Sequence, residues 1–121
     1  MLAVGERLLS EMTPLCVRMT TGFGGGVGGS REELCGAFSA GAMIIGGLYG
    51  RTQAHEDSQK AYDLVKELRR RFQARWQTLT CAPIRDWAKG PAGPAGGCAF
   101  VVAESARLLL ALLDEMAEAH G

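Results

Sequence analysis

Four cysteines are the residues of this 121-residue chain best suited to chemistry, and each stands near a predicted helix start. The helix-starting signals are Thr13–Pro14 before Cys16, Ser30 before Cys35, Thr80 before Cys81 and Gly96–Gly97 before Cys98. Free amides and partial positive charge at a helix N-terminus stabilise a thiolate as a nucleophile or metal ligand. Burial among apolar groups has the opposite effect, because it destabilises the thiolate and raises the pKa of the thiol. Helix starts from separate segments can therefore bring these thiols to one anionic centre.

The spacing of the cysteines excludes several familiar sites. Successive cysteines are 19, 46 and 17 residues apart, with no CxxC pair. This pattern excludes a zinc ribbon, a thioredoxin-type dithiol and, without CxxCH, a covalent haem site. A free cysteine is also simply a small buried hydrophobe in many proteins. Spacing alone therefore leaves incidental thiols as an equal alternative to a functional site.

The stretch GFGGGVGGSREELCGAFSAGAMIIGGLYG, residues 22–50, organises the chain around a glycine loop and a helix. Its last 17 residues, from Leu34 to Gly50, carry no charge. Small residues recur at Gly36, Ala37, Ala40, Gly41, Gly46, Gly47 and Gly50. A helix apolar on all sides must be buried. We predict that Ser30 caps this helix and that Glu33 completes a capping box.

The glycine loop contains GxGxxG as Gly24, Gly26 and Gly29. Dinucleotide binding would need a strand before this motif and a βαβ unit after it, and the sequence predicts neither. We interpret the glycines as residues that supply positive φ angles and let the backbone pass close to packed groups or a cofactor.

The remaining periodicity predicts an all-α fold, a small helical bundle of about four to six helices around a buried Gly/Ala-rich central helix. The further helices are expected over about 2–12, 14–20, 57–77, 81–89 and 98–119, with a surface loop over 90–97. The predicted buried stripes are Tyr62, Val65, Leu68, Phe72 and Trp76, and Phe100, Val102, Ala103, Ala106, Leu109, Leu110, Leu113 and Ala117. At this length we expect a single domain over 1–121.

Composition narrows the setting. Thirteen basic and thirteen acidic side chains cancel, which argues against nucleic acid or an anionic membrane as a partner. The sequence shows no signal-peptide pattern and no apolar run of about 20 residues, so we expect no membrane span and a cytoplasmic location. In the cytoplasm, cysteines serve as thiols, metal ligands or redox groups more often than as structural disulfides. The basic side chains of 57–77 predict a solvated face, with docking of an acidic redox partner as the alternative.

GFGGGVGGSREELCGAFSAGAMIIGGLYGR, the basic amphipathic helix, WQTLTC and the cysteine opening the last helix resemble the C_GCAxxG_C_C family of putative redox-active proteins. The resemblance covers about 15–115. It implies a small helical protein with cysteines gathered in a redox or iron–sulfur site, encoded beside transporters or oxidoreductases in anaerobic bacteria and archaea.

One departure concerns the first cysteine, which such proteins carry in an Asn-Cys-Ala-type segment well before the glycine loop. Here Ala3-Val4-Gly5-Glu6 has none, and Cys16 lies nearer the loop. Either the start is shortened, or Cys16 substitutes, or the site has three cysteines. Cys35, Cys81 and Cys98 therefore rank above Cys16 as redox thiols or metal ligands, and His55, a carboxylate, water or a partner chain could complete a three-cysteine site.

Three functions remain open. The cysteines bind an iron–sulfur cluster or exchange disulfides to carry electrons for an oxidoreductase or transporter component. Arg or Lys side chains and the backbone amides of the loop would offset the negative charge of a cluster, with Gly24, Gly25, Gly26, Gly28 and Gly29 as the cofactor-binding residues. Alternatively the cysteines hold a single metal ion such as zinc, or no cofactor in a helical oligomer with incidental thiols. Local spacing reveals no acid–base pair, which favours an electron-transfer accessory over an enzyme with its own substrate. The excess of small residues favours a homodimer.

Overall fold

The computed structural model describes residues 2–120, with side-chain surroundings for residues 4–118. Within them lie six α-helices and a short 3-10 turn, Thr21–Phe23, and no strand beyond a single residue bridge. The helices are α1 (Leu2–Leu8), α2 (Pro14–Thr20), α3 (Gly36–Tyr49), α4 (Gln59–Trp76), α5 (Cys81–Lys89) and α6 (Cys98–His120). The prediction of an all-α bundle is confirmed. None of the helices in this described range combines the length and apolarity needed to cross a membrane.

The core lies where α3, α4 and α6 pack together, with α5 against α6 and α1 against α3. Phe38 of α3 meets Phe72 of α4 edge to face, with ring centroids 5.6 Å apart. Gly41 of α3 lies against Leu68 of α4, which a larger residue at position 41 would obstruct. Small residues therefore bring the α3 backbone close to α4, as the composition of α3 predicted.

The central helix begins later than predicted, at Gly36, and the predicted Ser30–Glu33 capping box is wrong. The Ser30 hydroxyl instead donates to the Gly26 carbonyl at 2.9 Å, within the glycine loop. Cys35 occupies the N-cap position of α3. The far end of α3 is also less buried than expected, because Gly46 and Gly47 are exposed.

The buried stripe of α4 is partly as predicted. Leu68, Phe72 and Trp76 are buried. Tyr62 is 55% exposed, so its placement in the stripe is wrong, and Ala61 and Leu64 are buried in its place. Val65 is half-buried. The stripe therefore lies slightly to one side of the one expected from spacing.

The buried face of α6 is also rotated from the prediction. Leu109 is buried as expected, but Val102 is 51% and Leu110 39% exposed. Ala103 and Ala117 are exposed, while Phe100, Ala106 and Leu113 are half-buried. The fully buried positions are Val101, Ser105, Leu109 and Leu112. The helix turns this face inward because it must meet α3, α4 and α5 at once.

The basic side chains of α4 lie mostly on a solvated face, as predicted. Arg70 and Arg71 both pair with Glu67, at 2.7 and 2.9 Å. Arg71 also reaches Glu115 of α6 at 2.6 Å. These arginine bonds lower the pKa of Glu67 to about 2. At such exposed positions solvent screening leaves these pairs little effect on stability.

Candidate functional site: a cleft lined by three cysteines

An antiparallel bridge between Leu34 and Thr80 brings the starts of α3 and α5 side by side. The Cys35 amide donates to the Leu79 carbonyl at 2.7 Å, and the Cys81 amide donates to the Glu33 carbonyl at 2.9 Å. Cys35 caps α3, and Cys81 is the first residue of α5. Two helix starts separated by 46 residues of sequence are thus hydrogen-bonded neighbours.

The register of this bridge places Cys35 and Cys81 on one face. Cys35 is opposite Leu79, and side chains two residues apart in an extended segment point to the same side. Cys81 is therefore the diagonal neighbour of Cys35 across the bridge. All four cysteines are free thiols.

Cys98, at the start of α6, is the third thiol of the same cleft. The cleft encloses about 670 Å³, its open mouth included. Cys81 is buried, whereas Cys35 and Cys98 are half-buried and can be reached from solvent. The lining residues are Gly25, Gly26, Cys35, Gly36, Ala37, Cys81, Ile84, Arg85, Cys98, Val101 and Val102. The three top-ranked cysteines of the sequence thus share one cleft.

Gly26 forms the wall of the cleft beside Cys81. A Cβ at position 26 would be 2.3 Å from the Cys81 Cβ and 3.0 Å from its Sγ. Gly26 also has φ +64°, within a run from Gly25 to Gly29 in which every φ is positive. Glycine adopts this left-handed conformation without the steric penalty of other residues. The expected roles of positive φ and close approach both apply at Gly26.

Only some of the five glycines predicted to contact a cofactor lie at the cleft. Gly25 and Gly26 line the cleft. Gly24 has an ordinary φ of −66° and lines another hollow beside Phe23. Gly28 and Gly29 are exposed. The loop thus presents two of its glycines to the thiols.

The burial of Cys35 determines its acidity. Loss of solvation raises the pKa of this thiol, and the neighbouring Cys81 and Cys98 raise it further. Hydrogen bonds from the Ala37 and Phe38 amides at the start of α3 lower the pKa, but burial is the larger effect. The helix N-terminus therefore lowers the pKa of Cys35 as expected, but burial raises it by more, so the net pKa is raised.

Cys16 lies apart from the cleft, on α2. Its Sγ accepts a hydrogen bond from the Thr13 hydroxyl at 3.3 Å and donates to the Glu11 carbonyl at 3.5 Å. The Thr13 hydroxyl is the main cause of a lowered pKa for this thiol. The structure therefore separates Cys16 from the other three cysteines, and the exposed His55, in the loop after α3, is also outside the cleft lining.

Arg85 is a lining residue that the sequence reasoning did not single out. It follows Cys81 by four residues on α5, and residues four apart lie on the same face of a helix. Its side chain is half-buried. Among the described residues, it forms no ion pair. The Cys-x-x-x-Arg spacing at the start of a predicted helix was the sequence signal that could have placed Arg85 beside Cys81.

The resemblance implies an iron–sulfur cluster or a metal ion held by the cysteines. Thiolates are the donors that both groups prefer. However, no group of three or more His, Cys, Asp or Glu side chains within residues 2–120 is placed to hold a metal ion. The donor types suit such a centre, whereas the positions of the three cleft thiols do not form its ligand set.

Comparison with known proteins identifies the family of the chain. A family model described as "Putative redox-active protein (C_GCAxxG_C_C)" matches residues 1–112. The match thus begins earlier than the stretch from about residue 15 that carried the resemblance. No curated protein and no solved structure matches significantly. Because the family model covers most of the sequence, the chain belongs to the C_GCAxxG_C_C family of putative redox-active proteins.

Proposed function

We propose that the cleft is a thiol redox site in which Cys35 forms a reversible disulfide with Cys81 or Cys98. The observation that carries the proposal is that three thiols from three separate helix starts line one open cleft. Cys35 is the shared member because it lies beside Cys81 across the Leu34–Thr80 bridge and lines the same cleft as Cys98. The redox character of the family supports the same assignment.

The reaction is a two-electron exchange with a disulfide supplied by a partner. A cleft thiolate attacks one partner sulfur, forms a mixed disulfide and releases the first partner thiolate. A second cleft thiol then displaces the other partner sulfur. The two cleft thiols lose two protons and two electrons in total, and the partner disulfide becomes two thiols. The reverse sequence returns the electrons.

The burial of Cys81 and the half-burial of Cys35 and Cys98 suit a site that must not react with every oxidant. The raised pKa of Cys35 keeps it protonated and weakly nucleophilic near neutral pH. A small rearrangement at the Leu34–Thr80 bridge would bring Cys35 and Cys81 within bonding distance. An oxidoreductase or transporter component in the cytoplasm belongs to the proposed system that this thiol exchange serves.

The test is a thiol map of protein purified anaerobically and then oxidised. Peptide mass spectrometry should find a disulfide that contains Cys35, and Cys35→Ser should abolish every cleft disulfide. Cys81→Ser and Cys98→Ser should each leave one pairing, and Cys16→Ser is the matched control that should change nothing.

Two results would overturn the proposal. One is an oxidised protein whose disulfide joins Cys81 to Cys98 or involves Cys16. The other is stoichiometric iron and sulfide, or zinc, in protein whose cleft thiols resist oxidation. The second result would mean that the thiols move together around a metal centre, the alternative function for these donors.

A further inference from the structure

The cleft contains a single charge, and that charge is positive. Of the lining residues in the described part of the chain, Arg85 alone is an acidic or basic residue. It has no ion-pair partner among those described residues. The other lining groups are thiols, glycines and aliphatic side chains such as Ile84 and Val101. A guanidinium in such surroundings offers up to five hydrogen-bond donors, which suit a carboxylate.

The dimensions of the cleft indicate a small molecule. The space in it that a water-sized sphere can occupy is about 270 Å³, just below the roughly 300–1,000 Å³ typical of small-ligand pockets, so only a small molecule fits. The Cys81 thiol is buried at its wall, and Cys35 and Cys98 are only partly exposed. A slender molecule reaches these sulfurs more readily than the surface of a folded protein does.

We propose that the oxidant and reductant of this site is a low-molecular-weight disulfide and its thiol, carrying a carboxylate that Arg85 binds. The proposal rests on the thiol redox function above and adds the class of substrate. Arg85 is a substrate-positioning residue: its pairing with the carboxylate holds the S–S bond beside Cys98 and Cys35. The apolar walls contact the carbon chain of the bound molecule.

The exchange balances without any further reactant. The Cys98 thiolate attacks the nearer sulfur of the bound disulfide, forming a mixed disulfide and releasing one small thiolate. The Cys35 thiolate then attacks the Cys98 sulfur, closing the Cys35–Cys98 disulfide and releasing the second small thiolate. The two protons lost by the cysteines are taken up by the two released thiolates.

The experiment compares three probes of similar size, namely dithiodipropionate (an anion), bis(hydroxyethyl) disulfide (neutral) and cystamine (a cation). Stopped-time mass spectrometry gives the rate at which the reduced full-length chain, with Cys16→Ser to silence the outer thiol, forms the cleft disulfide. Each rate is divided by the rate of a free small thiol with the same probe, because the probes differ in their leaving thiols. We expect dithiodipropionate to react roughly tenfold faster than the neutral probe, a ratio equivalent to about 1.4 kcal/mol, and cystamine to be the slowest. The preference should weaken with added salt.

Substitutions at Arg85 identify the source of that preference. Arg85→Ala should abolish the ratio, Arg85→Glu should reverse it, and Arg85→Lys should preserve part of it. Lys89→Ala is the matched control, because Lys89 is an exposed cation one turn further along α5 and outside the cleft. The control should keep the full ratio.

The outcomes separate this inference from the function on which it rests. If all three probes oxidise the cleft at equal rates, or if Arg85→Ala slows all three equally, the carboxylate assignment is wrong while the thiol redox function stands. In the second case Arg85 acts on the thiolates alone. If no probe yields a cleft disulfide, the redox function itself fails.

Discussion

Gly26 and Cys81 touch so closely that position 26 has no room for a side chain. A Cβ there would be 2.3 Å from the Cys81 Cβ and 2.9 Å from the Arg31 Cα. Gly26→Ala therefore combines left-handed strain with overpacking against backbone, and should lower the free energy of unfolding by roughly 2–5 kcal/mol. Denaturant unfolding measures the loss.

Gly29→Ala is the control for this effect. Gly29 has φ +76° but nothing within 4 Å of a Cβ, so the substitution should cost only the left-handed strain of about 1–2 kcal/mol. Cys81 alkylation should accelerate in Gly26→Ala and not in Gly29→Ala, because only the former displaces the thiol. Equal losses of stability in the two variants would show that the contact with Cys81 carries no energy.

Two glycines of α3 should respond to alanine with opposite signs. A Cβ at Gly46 meets nothing within 4 Å, so Gly46→Ala should stabilise the protein by roughly 0.5–1 kcal/mol through helix propensity. A Cβ at Gly41 would be 2.7 Å from the Cδ2 of Leu68, which is 2% exposed. Overpacking should outweigh propensity there, for a net loss of roughly 1 kcal/mol.

Thermal or denaturant unfolding of the two variants gives the comparison. A stabilised Gly41→Ala would indicate that Leu68 moves freely into neighbouring space, and that close packing does not require glycine at this position. Leu68→Ala in the Gly41→Ala background then reports whether the two positions are coupled.

Hydrophobic spacing and helix-starting signals were enough to predict the all-α fold and most of the helix positions. The Thr13 cap of α2 is confirmed, with its hydroxyl accepting from the Cys16 amide. Thr80 is the N-cap residue of α5, although its side chain makes no capping hydrogen bond. These features depend on residues only a few positions apart, which is why local sequence contains them.

The features that failed depend on distant parts of the chain. Ser30 and Glu33 form a capping-box pattern, but Ser30 bonds within the glycine loop and the Glu33 carbonyl accepts from Cys81. The pairing of Leu34 with Thr80 has no local signature. The rotation of α6 is likewise fixed by its neighbours, so Leu110 is exposed and Ser105 is buried. Placing the thiols on one cleft from sequence required the family resemblance.

Val27 is the one non-glycine residue in the left-handed run of the loop, with φ +64°. A β-branched residue is strained in this conformation. Val27→Gly should remove about 1–2 kcal/mol of strain from the folded state. Glycine also gives the unfolded chain more conformational freedom, which should offset about half of that gain. Because Val27 is 36% exposed, little packing is lost. The net stabilisation should be about 0.5–1 kcal/mol in denaturant unfolding.

Val27→Ala is the matched variant for this prediction. Alanine retains a Cβ and therefore most of the left-handed penalty, so it should gain clearly less than glycine. If alanine stabilised as much as glycine, the strain at Val27 would come from its branched side chain and not from the sign of φ.

Cys16 should be the most readily alkylated thiol at low pH. The Thr13 hydroxyl bonds to its Sγ at 3.3 Å and lowers its pKa. Thr13→Ala should move the pH midpoint of Cys16 alkylation upward, whereas Thr13→Ser keeps the hydroxyl and should leave it in place. Iodoacetamide labelling followed by peptide mass spectrometry gives the midpoint for each variant. Identical midpoints in Thr13→Ala and the unmodified protein would exclude the hydroxyl as the cause.

Cys35 should make the stability of the reduced protein fall in alkaline solution. Burial raises the pKa of this thiol above its ordinary value of 9.0, so the folded chain holds the thiol proton more tightly than the unfolded chain does. The resulting stability is complete below the ordinary value and is lost as pH rises through the raised pKa. Denaturant unfolding under reductant, on both sides of pH 9.0, should therefore show that the free energy of unfolding declines more steeply with pH for the unmodified protein than for Cys35→Ala.

Cys16→Ala is the control of opposite sign, because a lowered pKa favours the folded state as pH rises. Parallel pH profiles for the unmodified protein and Cys35→Ala would mean that the Cys35 thiolate is as well solvated in the folded protein as in the unfolded chain, and the buried, protonated thiol of the cleft would be ruled out.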